Sequence, residues 1–311
     1  MKQTFVHNFG ELLAHASSLP RKRVVVVYPN NLETFSAIVE AEQKLKACFV
    51  LVGDRPGIEK GIREAGGSIA TMEIHGQVEV HLALQAAIAL IREGKGDILM
   101  KGGVDTGAMM KAVLAEGSGL RTGRLLSDIF IMEYPNRPEN KFVMITDGGM
   151  TLAPDLANKI ELVKNAVDVA HALGNKNPKV AILSATEFVL PNLASTLDAA
   201  ALSKMNERGQ IKGCVVDGPL ALDNALSPEA AEEKGIKSAV AGKAEILVAA
   251  NIESANSLAK STTYFANLRL AHVIVGARIP ILIPSRADKS DAKLLSVALG
   301  IIMSSSTDRV D

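Results

Sequence analysis

Val24-Val25-Val26-Val27-Tyr28 is an unbroken apolar run. Leu32 to Leu45 follows with helical spacing, and a second apolar run, Ala47 to Val52, ends at Gly53-Asp54. Consecutive β-branched residues without polar alternation predict a strand covered on both faces. Strand, helix and strand in that order predict parallel neighbours joined by a right-handed crossover. The rhythm continues outward from there. Ser68 to Ile74 reads as a weaker third strand, Glu79 to Glu93 as an Ala- and Leu-rich helix closed by Gly94, and Asp97 to Lys101 as a further strand.

After Gly123 the pattern changes. Ile129-Phe130-Ile131-Met132 and Phe142-Val143-Met144-Ile145 are short strand candidates separated by Pro135, Asn136 and Pro138, a spacing that predicts a hairpin with a loop. The βα rhythm then resumes. Pro154-Asp155 is expected to open a helix with Pro in its first turn. Ile160, Val163, Val167 and Ala170 mark its buried stripe, and Gly174 its stop. Further strands are expected at Val180–Ser184, Cys214–Asp217, Ile246–Ala249, Val273–Val275 and Ile279–Pro284. The fold class is therefore α/β, with two α/β domains of mostly parallel strands. Residues 1–125 with 285–311 are expected to form the first domain and residues 126–284 the second.

Composition narrows the function. Nearly half of the 311 residues are apolar (48%), enough for large cores, and aromatics are scarce at 4%. Lys and Arg number 34 and so do Asp and Glu, so no basic excess draws in nucleic acid. No apolar run reaches the length of a bilayer span, and Met1-Lys2-Gln3-Thr4-Phe5 leads into a mixed polar segment unlike a signal peptide. Cys48 and Cys214 lie in strand-like runs and read as free buried thiols. A reduced, cytoplasmic protein without nucleic-acid or membrane partners is expected.

Polar groups gather where strands end. Ile279-Pro280-Ile281-Leu282-Ile283-Pro284 runs into Ser285-Arg286-Ala287-Asp288-Lys289-Ser290-Asp291. A hydroxyl, a guanidinium and carboxylates thus reach one spot at the carboxyl edge of a sheet, where α/β proteins bind ligands. Lys101-Gly102-Gly103-Val104-Asp105-Thr106-Gly107 is similar with more glycine. A helix is expected to begin near Ala108, bringing backbone N–H groups, the Thr106 hydroxyl and the Lys111 charge toward an anion. The Gly-Lys-Ser/Thr ending of a Walker A loop is missing, and an ordinary βα turn is the alternative. Gly119-Leu120-Arg121-Thr122-Gly123-Arg124 offers planar guanidinium groups suited to phosphate, or else solvated charges. Asp147-Gly148-Gly149 is either a ligand loop or turn chemistry. Asn251 follows a strand, and Asn256 and Lys260 share one helical face, lining a cleft or facing solvent. Asp217-Gly218-Pro219 reads as a turn shaping a cleft wall, with too few ligands beside it for a metal. The six histidines show no zinc or triad spacing.

Several of these segments, in one order, resemble the phosphate acetyl/butyryl transferases, and most closely the phosphate butyryltransferase branch. They are Lys-Gly-Gly-x-x-Thr at 101–106, Gly-Leu-Arg-Thr-Gly-Arg at 119–124, Thr-Asp-Gly-Gly-Met-x-x-Ala-Pro-Asp at 146–155, Ser-Thr-Leu-Asp-Ala-Ala at 195–200, Asp-Gly-Pro-Leu-Ala-Leu-Asp-Asn-Ala at 217–225 and Pro-Ser-Arg-Ala-Asp at 284–288. The resemblance implies two α/β domains with an interdomain cleft, like the isocitrate and isopropylmalate dehydrogenases, in a homodimer. It implies reversible transfer of a short acyl group, butyryl or similar, between coenzyme A and orthophosphate, giving an acyl phosphate. Coenzyme A is then a substrate, with no permanently bound cofactor and no metal. It implies Ser285 and Arg286 in the active site and an aspartate just beyond as base, Asp291 at the helix start or Asp288. Lys101, Thr106, Lys111, Arg124, Asp147, Asn251, Asn256 and Lys260 are the expected phosphate and substrate contacts. Lys111 stands where the acetyl branch usually has arginine, and Asp128, after Ser127, where the branch often has histidine. These departures bear on substrate choice. A dehydrogenase of the same fold is one alternative, although no Gly-x-Gly-x-x-Gly follows the first strand; a non-catalytic acyl-CoA or phosphate sensor is the other.

The chemistry implied is direct transfer in a ternary complex. The thiol of coenzyme A loses its proton and attacks the acyl phosphate carbonyl, and orthophosphate leaves. In water a thiol has a pKa of about 8.5 and an aspartic acid about 3.9, so full transfer to such a base is uphill by roughly 6 kcal/mol. The base must be desolvated, or the proton must move in step with attack.

Overall fold

The computed structural model describes residues 5–135, 137 and 141–306; Met1–Thr4, Asn136 and Pro138, which entered the sequence reading, lie outside them. The chain divides into two compact units, residues 9–124 with the described residues from 271 onward, and residues 125–270 with the described residues before 9.

The first unit opens with α1 (Phe9–Ser18), β1 (Arg23–Val27), α2 (Leu32–Leu45), β2 (Cys48–Gly53), α3 (Arg55–Glu64), β3 (Glu73–Gly76), α4 (Val80–Arg92), β4 (Ile98–Lys101) and α5 (Thr106–Leu114). The second holds β5 (Ser127–Glu133), β6 (Phe142–Thr146), α6 (Leu156–Ala172), β7 (Lys179–Leu183), α7 (Ala194–Glu207), β8 (Val215–Leu220), α8 (Leu222–Leu226), α9 (Pro228–Glu233), β9 (Ile246–Val248) and α10 (Ile252–Tyr264). The chain returns to the first unit with β10 (Leu270–Val275), β11 (Ile281–Leu282) and α11 (Ser290–Ser305). The return comes near residue 271, earlier than the expected 285. The reason is pairing: β10 runs antiparallel to β11, and β11 runs parallel to β4.

In the first unit the strand order is β3-β2-β1-β4-β11-β10. The four-valine run is wholly buried in β1, which is parallel to β2 on one side and β4 on the other. Strand order therefore reverses between β1 and β4, and their carboxyl ends flank a topological switch point. Helices α1, α2 and α11 pack together, and α4 packs on β1 and β2. The second unit has the order β5-β6-β9-β7-β8. Among the described residues only β5 and β6 are antiparallel there, as the hairpin reading expected.

Local rules account for most boundaries. Asn31 caps α2 by accepting the Thr34 N–H at 2.9 Å, an interaction worth about 1 kcal/mol. Differences from the sequence reading have local causes too. Tyr28, expected inside β1, has φ +54 and ends the strand. Ser68 accepts the Ala70 N–H and starts a 3-10 turn at Ile69–Thr71, so β3 begins later than expected. Pro154 precedes α6: Asp155 is the cap, closed as a capping box with Asn158. Asp217-Gly218-Pro219 is no turn, because β8 runs on to Leu220 with a register shift against β7. Pro tolerates this because β8 is the edge strand.

Candidate active site

The carboxyl edge of the first unit gathers the chemistry. Register pairs Val27 with Lys101 across β1 and β4, and Met100 with Leu282 across β4 and β11. The segment after β11 therefore emerges beside Lys101. Lys101 is only 5% exposed. Burial pulls its ammonium below the ordinary lysine range, and the positive charges of Arg286 and Lys293 add to this, while Asp288 and Asp105 oppose it. Lys101, Arg286, Asp288, Lys293 and Asp105 thus share one electrostatic neighbourhood.

Residues 285–288 form a tight turn. The Asp288 N–H donates to the Ser285 carbonyl at 3.2 Å. The Ser285 N–H donates back to Asp288 Oδ2 at 2.7 Å, and the Ala287 N–H to Ser285 Oγ at 3.4 Å. Ser285 and Arg286 are exposed at its tip and Asp291 is half-buried in the first turn of α11. His272 Nε2, from β10, lies 4.0 Å from Asp288 Oδ2.

The glycines serve a different purpose from the one expected. The N–H groups of Gly102 and Gly103 are not turned toward a ligand; they donate to the carbonyls of Val27 at 2.9 Å and Tyr28 at 2.6 Å. A Cβ on Gly102 would lie 2.6 Å from the Val27 carbonyl oxygen and 2.7 Å from Pro29 N. Glycine is needed so that the end of β4 can press against the end of β1. Helix α5 starts at Thr106, two residues before Ala108, because Asp105 caps it through the Ala108 N–H at 3.0 Å. Thr106 is half-buried in the first turn, and Lys111 is exposed further along. Arg124 is exposed in a loop tied to the β10–β11 connection by the Arg278 N–H to Leu120 carbonyl bond at 2.9 Å.

The remaining expected contacts lie at the carboxyl edge of the second unit. Asp147 follows β6 and Asn251 follows β9, its parallel neighbour. The Asp147 carboxylate is engaged by backbone: it accepts N–H groups of Asp128 at 3.0 Å, Gly149 and Met150 at 3.1 Å, and Thr151 at 2.8 Å. Burial pushes its pKa up against the pull of those donors. Asn251 caps α10 with Ser254. Asn256 donates to the Gly148 carbonyl at 2.8 Å, pinning the Asp147 loop to α10, while Lys260 is exposed on that helix. The site residues thus fall into two sets, Lys101, Thr106, Lys111, Arg124, Ser285, Arg286 and Asp291 in one unit, and Asp147, Asn251, Asn256 and Lys260 in the other. Asp223 and Asn224 pair elsewhere, with Lys234 at 3.2 Å and Glu187 at 3.3 Å. Among the described residues no group of three or more His, Cys, Asp or Glu could hold a metal ion, and no helix is long and apolar enough to cross a membrane.

A family described as phosphate acetyl/butaryl transferase matches residues 21–301. The chain belongs to the phosphate acetyl/butyryl transferases. It is 40% identical to a phosphate butyryltransferase of Clostridium acetobutylicum over 298 residues, covering 96% of this chain and 98% of the relative. It is 40% identical to a phosphate acetyltransferase of Rhizobium meliloti over 294 residues, covering 94% and 92%. A solved branched-chain phosphotransacylase from Enterococcus faecalis V583 is similar with a TM-score of 0.80 at 28% identity, over 91% of this chain and 99% of that one.

In this phosphate acyltransferase-family chain, Asp128 entered the sequence reading only as a departure from the branch's histidine, and Lys293 escaped it. Asp128 is buried at 1% exposure beneath the Asp147 loop, where a Cβ on Gly149 would lie 2.6 Å from its carboxylate. Lys293, also 1% exposed, sits under the Ser285–Asp288 turn. Its only sequence signal is a charge just before a mostly apolar helical run, Leu294-Leu295-Ser296-Val297-Ala298-Leu299.

Proposed function

We propose that this protein reversibly transfers a short-chain acyl group between coenzyme A and orthophosphate, with butyryl or a close homologue as the acyl group. The observation that carries the reading is the meeting of the Ser285–Asp288 turn with the buried Lys101 at the carboxyl ends of β4 and β11, in a chain of this family. Lys101 and Arg286 supply fixed positive charge to the phosphoryl group. Thr106, Lys111 and Arg124 add donors and charge as orthophosphate departs. The exposed Ser285 hydroxyl donates to the oxyanion formed when the thiolate attacks the acyl carbon; a single such donor is worth about 3 kcal/mol. Asp291 receives the thiol proton in step with attack. At the carboxyl edge of the second unit, Asp147, Asn251 and Asn256 shape the β6 and β9 loops, and Lys260 is the exposed charge on α10 beside them.

The same reading makes coenzyme A, acyl-CoA, orthophosphate and acyl phosphate the partners, with no cofactor held permanently. Two free cysteines suit a reducing cytoplasm. A homodimer is part of it. Phe188, Val189, Leu190 and Leu197 are exposed, the Leu190 N–H donates to Thr196 Oγ1 at 2.9 Å at the start of α7, and a second copy would cover these apolar side chains. Release of free thiol from butyryl-CoA on addition of phosphate and enzyme tests the activity. No thiol above the enzyme-free rate, with acetyl-, butyryl- and branched acyl-CoA alike, would end it. Sedimentation checks the dimer.

A further inference from the structure

Lys293 belongs to no motif, yet it is among the most deeply buried side chains of the protein. It lies one turn into α11, whose residues from Lys293 to Ile302 are buried. An ammonium in such a place needs partners, because desolvating it is unfavourable. A hydrophobic residue of the same length would fill the space without that penalty. What lysine adds is a set of three donors. Nζ donates to the Ser285 carbonyl at 3.2 Å and to the Asp288 carbonyl. These two carbonyls belong to the first and last residues of the turn that carries Ser285 and Arg286.

The turn is closed from the other side as well. Asp288 binds the Ser285 N–H through its carboxylate. Just beyond, the Ser290 N–H donates to Glu33 Oε2 at 2.6 Å, so that α2 holds the start of α11. Asp288 and Glu33 are the carboxylates whose field favours the charged form of Lys293 against burial. The ammonium therefore bridges both ends of a four-residue loop.

We propose that Lys293 is a positioning residue for acyl transfer, clamping the Ser285 and Asp288 carbonyls so that the Ser285 hydroxyl is presented in one fixed arrangement. This inference rests on the acyltransferase reading above. A turn that loosens by an ångström misplaces the oxyanion donor, and such misplacement lowers rate by up to about 100-fold. The effect passes through Ser285, so it disappears once Ser285 is gone.

The test combines turnover, a double-variant cycle and proteolysis. Lys293→Met removes the donors at nearly constant volume and is expected to lower kcat by about 10- to 100-fold, with a smaller change in KM for coenzyme A. Lys293→Gln keeps neutral donors and should recover part of the loss. Lys293→Met combined with Ser285→Ala should turn over within about threefold of Ser285→Ala alone, because a shared interaction makes the losses non-additive. Trypsin should cut after the exposed Arg286 faster in Lys293→Met than in wild type, with other sites unchanged by mass spectrometry. Losses that multiply in the double variant, unchanged kcat, or unchanged cleavage at Arg286 would overturn the clamp. Should Lys293→Met fail to fold by circular dichroism, Lys293→Gln takes its place under the same criteria. The proteolysis arm reads the clamp even if the wild-type protein releases no thiol, an outcome that would sink the acyltransferase reading by itself.

Discussion

The Asp288 carboxylate accepts the backbone N–H of Ser285 at 2.7 Å. Of the two aspartates that follow the Ser-Arg pair, one is thus built into the turn that presents the serine, and the other, Asp291, stands at the start of α11. On the acyltransferase reading proposed above, Asp288 shapes the turn and Asp291 takes the proton. Asn at 288 keeps an acceptor oxygen for the Ser285 N–H, and Ala does not. Asp288→Asn is expected to keep turnover within about tenfold of wild type, while Asp288→Ala falls further by loss of that bond, roughly 1.5–3 kcal/mol for a charged acceptor. Equal, severe losses in both variants would make Asp288 the base. Steady-state thiol release measures the difference.

Ser285→Ala should lower kcat by about 100-fold, the effect of one lost oxyanion donor. Asp291→Asn should lower kcat with little change in KM. Arg286→Gln should also raise KM for phosphate. Circular dichroism should show all three folded, since Ser285 and Arg286 are exposed and Asp291 half-buried.

Lys101 carries a sign-specific pH prediction. Its pKa in the folded protein is lowered, first by burial and then by Arg286. Between that lowered value and the ordinary 10.5 the unfolded chain binds more protons than the folded one. Stability contributed at this site therefore rises with pH across that window, and below it the buried charge opposes folding. Phosphate affinity runs the other way, falling as Lys101 loses its proton. The alkaline rise in KM for phosphate should be larger in wild type than in Lys101→Met. Parallel profiles in the two proteins would remove Lys101 from the phosphate site.

Gly102→Ala places a methyl 2.6 Å from the Val27 carbonyl oxygen and 2.7 Å from two further backbone atoms. None of these can swing aside. Urea unfolding should show a loss on the order of 2–3 kcal/mol. Gly117→Ala, whose Cβ would meet nothing within 4 Å, is the matched control and should stay within about 0.5 kcal/mol of wild type.

The two thiols should separate by reactivity. Burial pushes the Cys214 pKa up to about 11, whereas Cys48 is half-exposed. The thiolate is the reactive form. At pH 8 a disulfide reagent should titrate one thiol of the native protein, lost in Cys48→Ser, and the second only after unfolding.

Much of this architecture was legible in local sequence, because strands, helices and caps answer to short-range rules. The four-valine run had to be a covered strand, and Leu32–Leu45 was bounded correctly as a helix. The paired glycines at 102–103 and 148–149 announced strand ends, and the Ser285-Arg286 segment announced a polar edge. What the glycines were for was not legible. Their Cβ positions are excluded by the backbone of Val27, Tyr28 and Pro29 and by the Asn30 side chain in one case and by Phe130, Asn256 and Asp128 in the other, and those neighbours come from distant parts of the chain. Pro219 looked like a turn because its place on an edge strand is a property of the sheet.

Lys293 marks the same limit most clearly. Its place before an apolar run is a weak signal that does not separate it from a solvated lysine, for helical periodicity reports a face and not what lies against it. Its partners are defined only when β11 pairs with β4 and α11 folds back beneath the turn. The amino-acid order by itself determined the alternation of strands and helices and the chemical groups delivered to their ends. Tertiary structure decided which of those groups are consumed in holding loops and which are left to meet a substrate, because long-range pairing alone sets which donors and acceptors face one another.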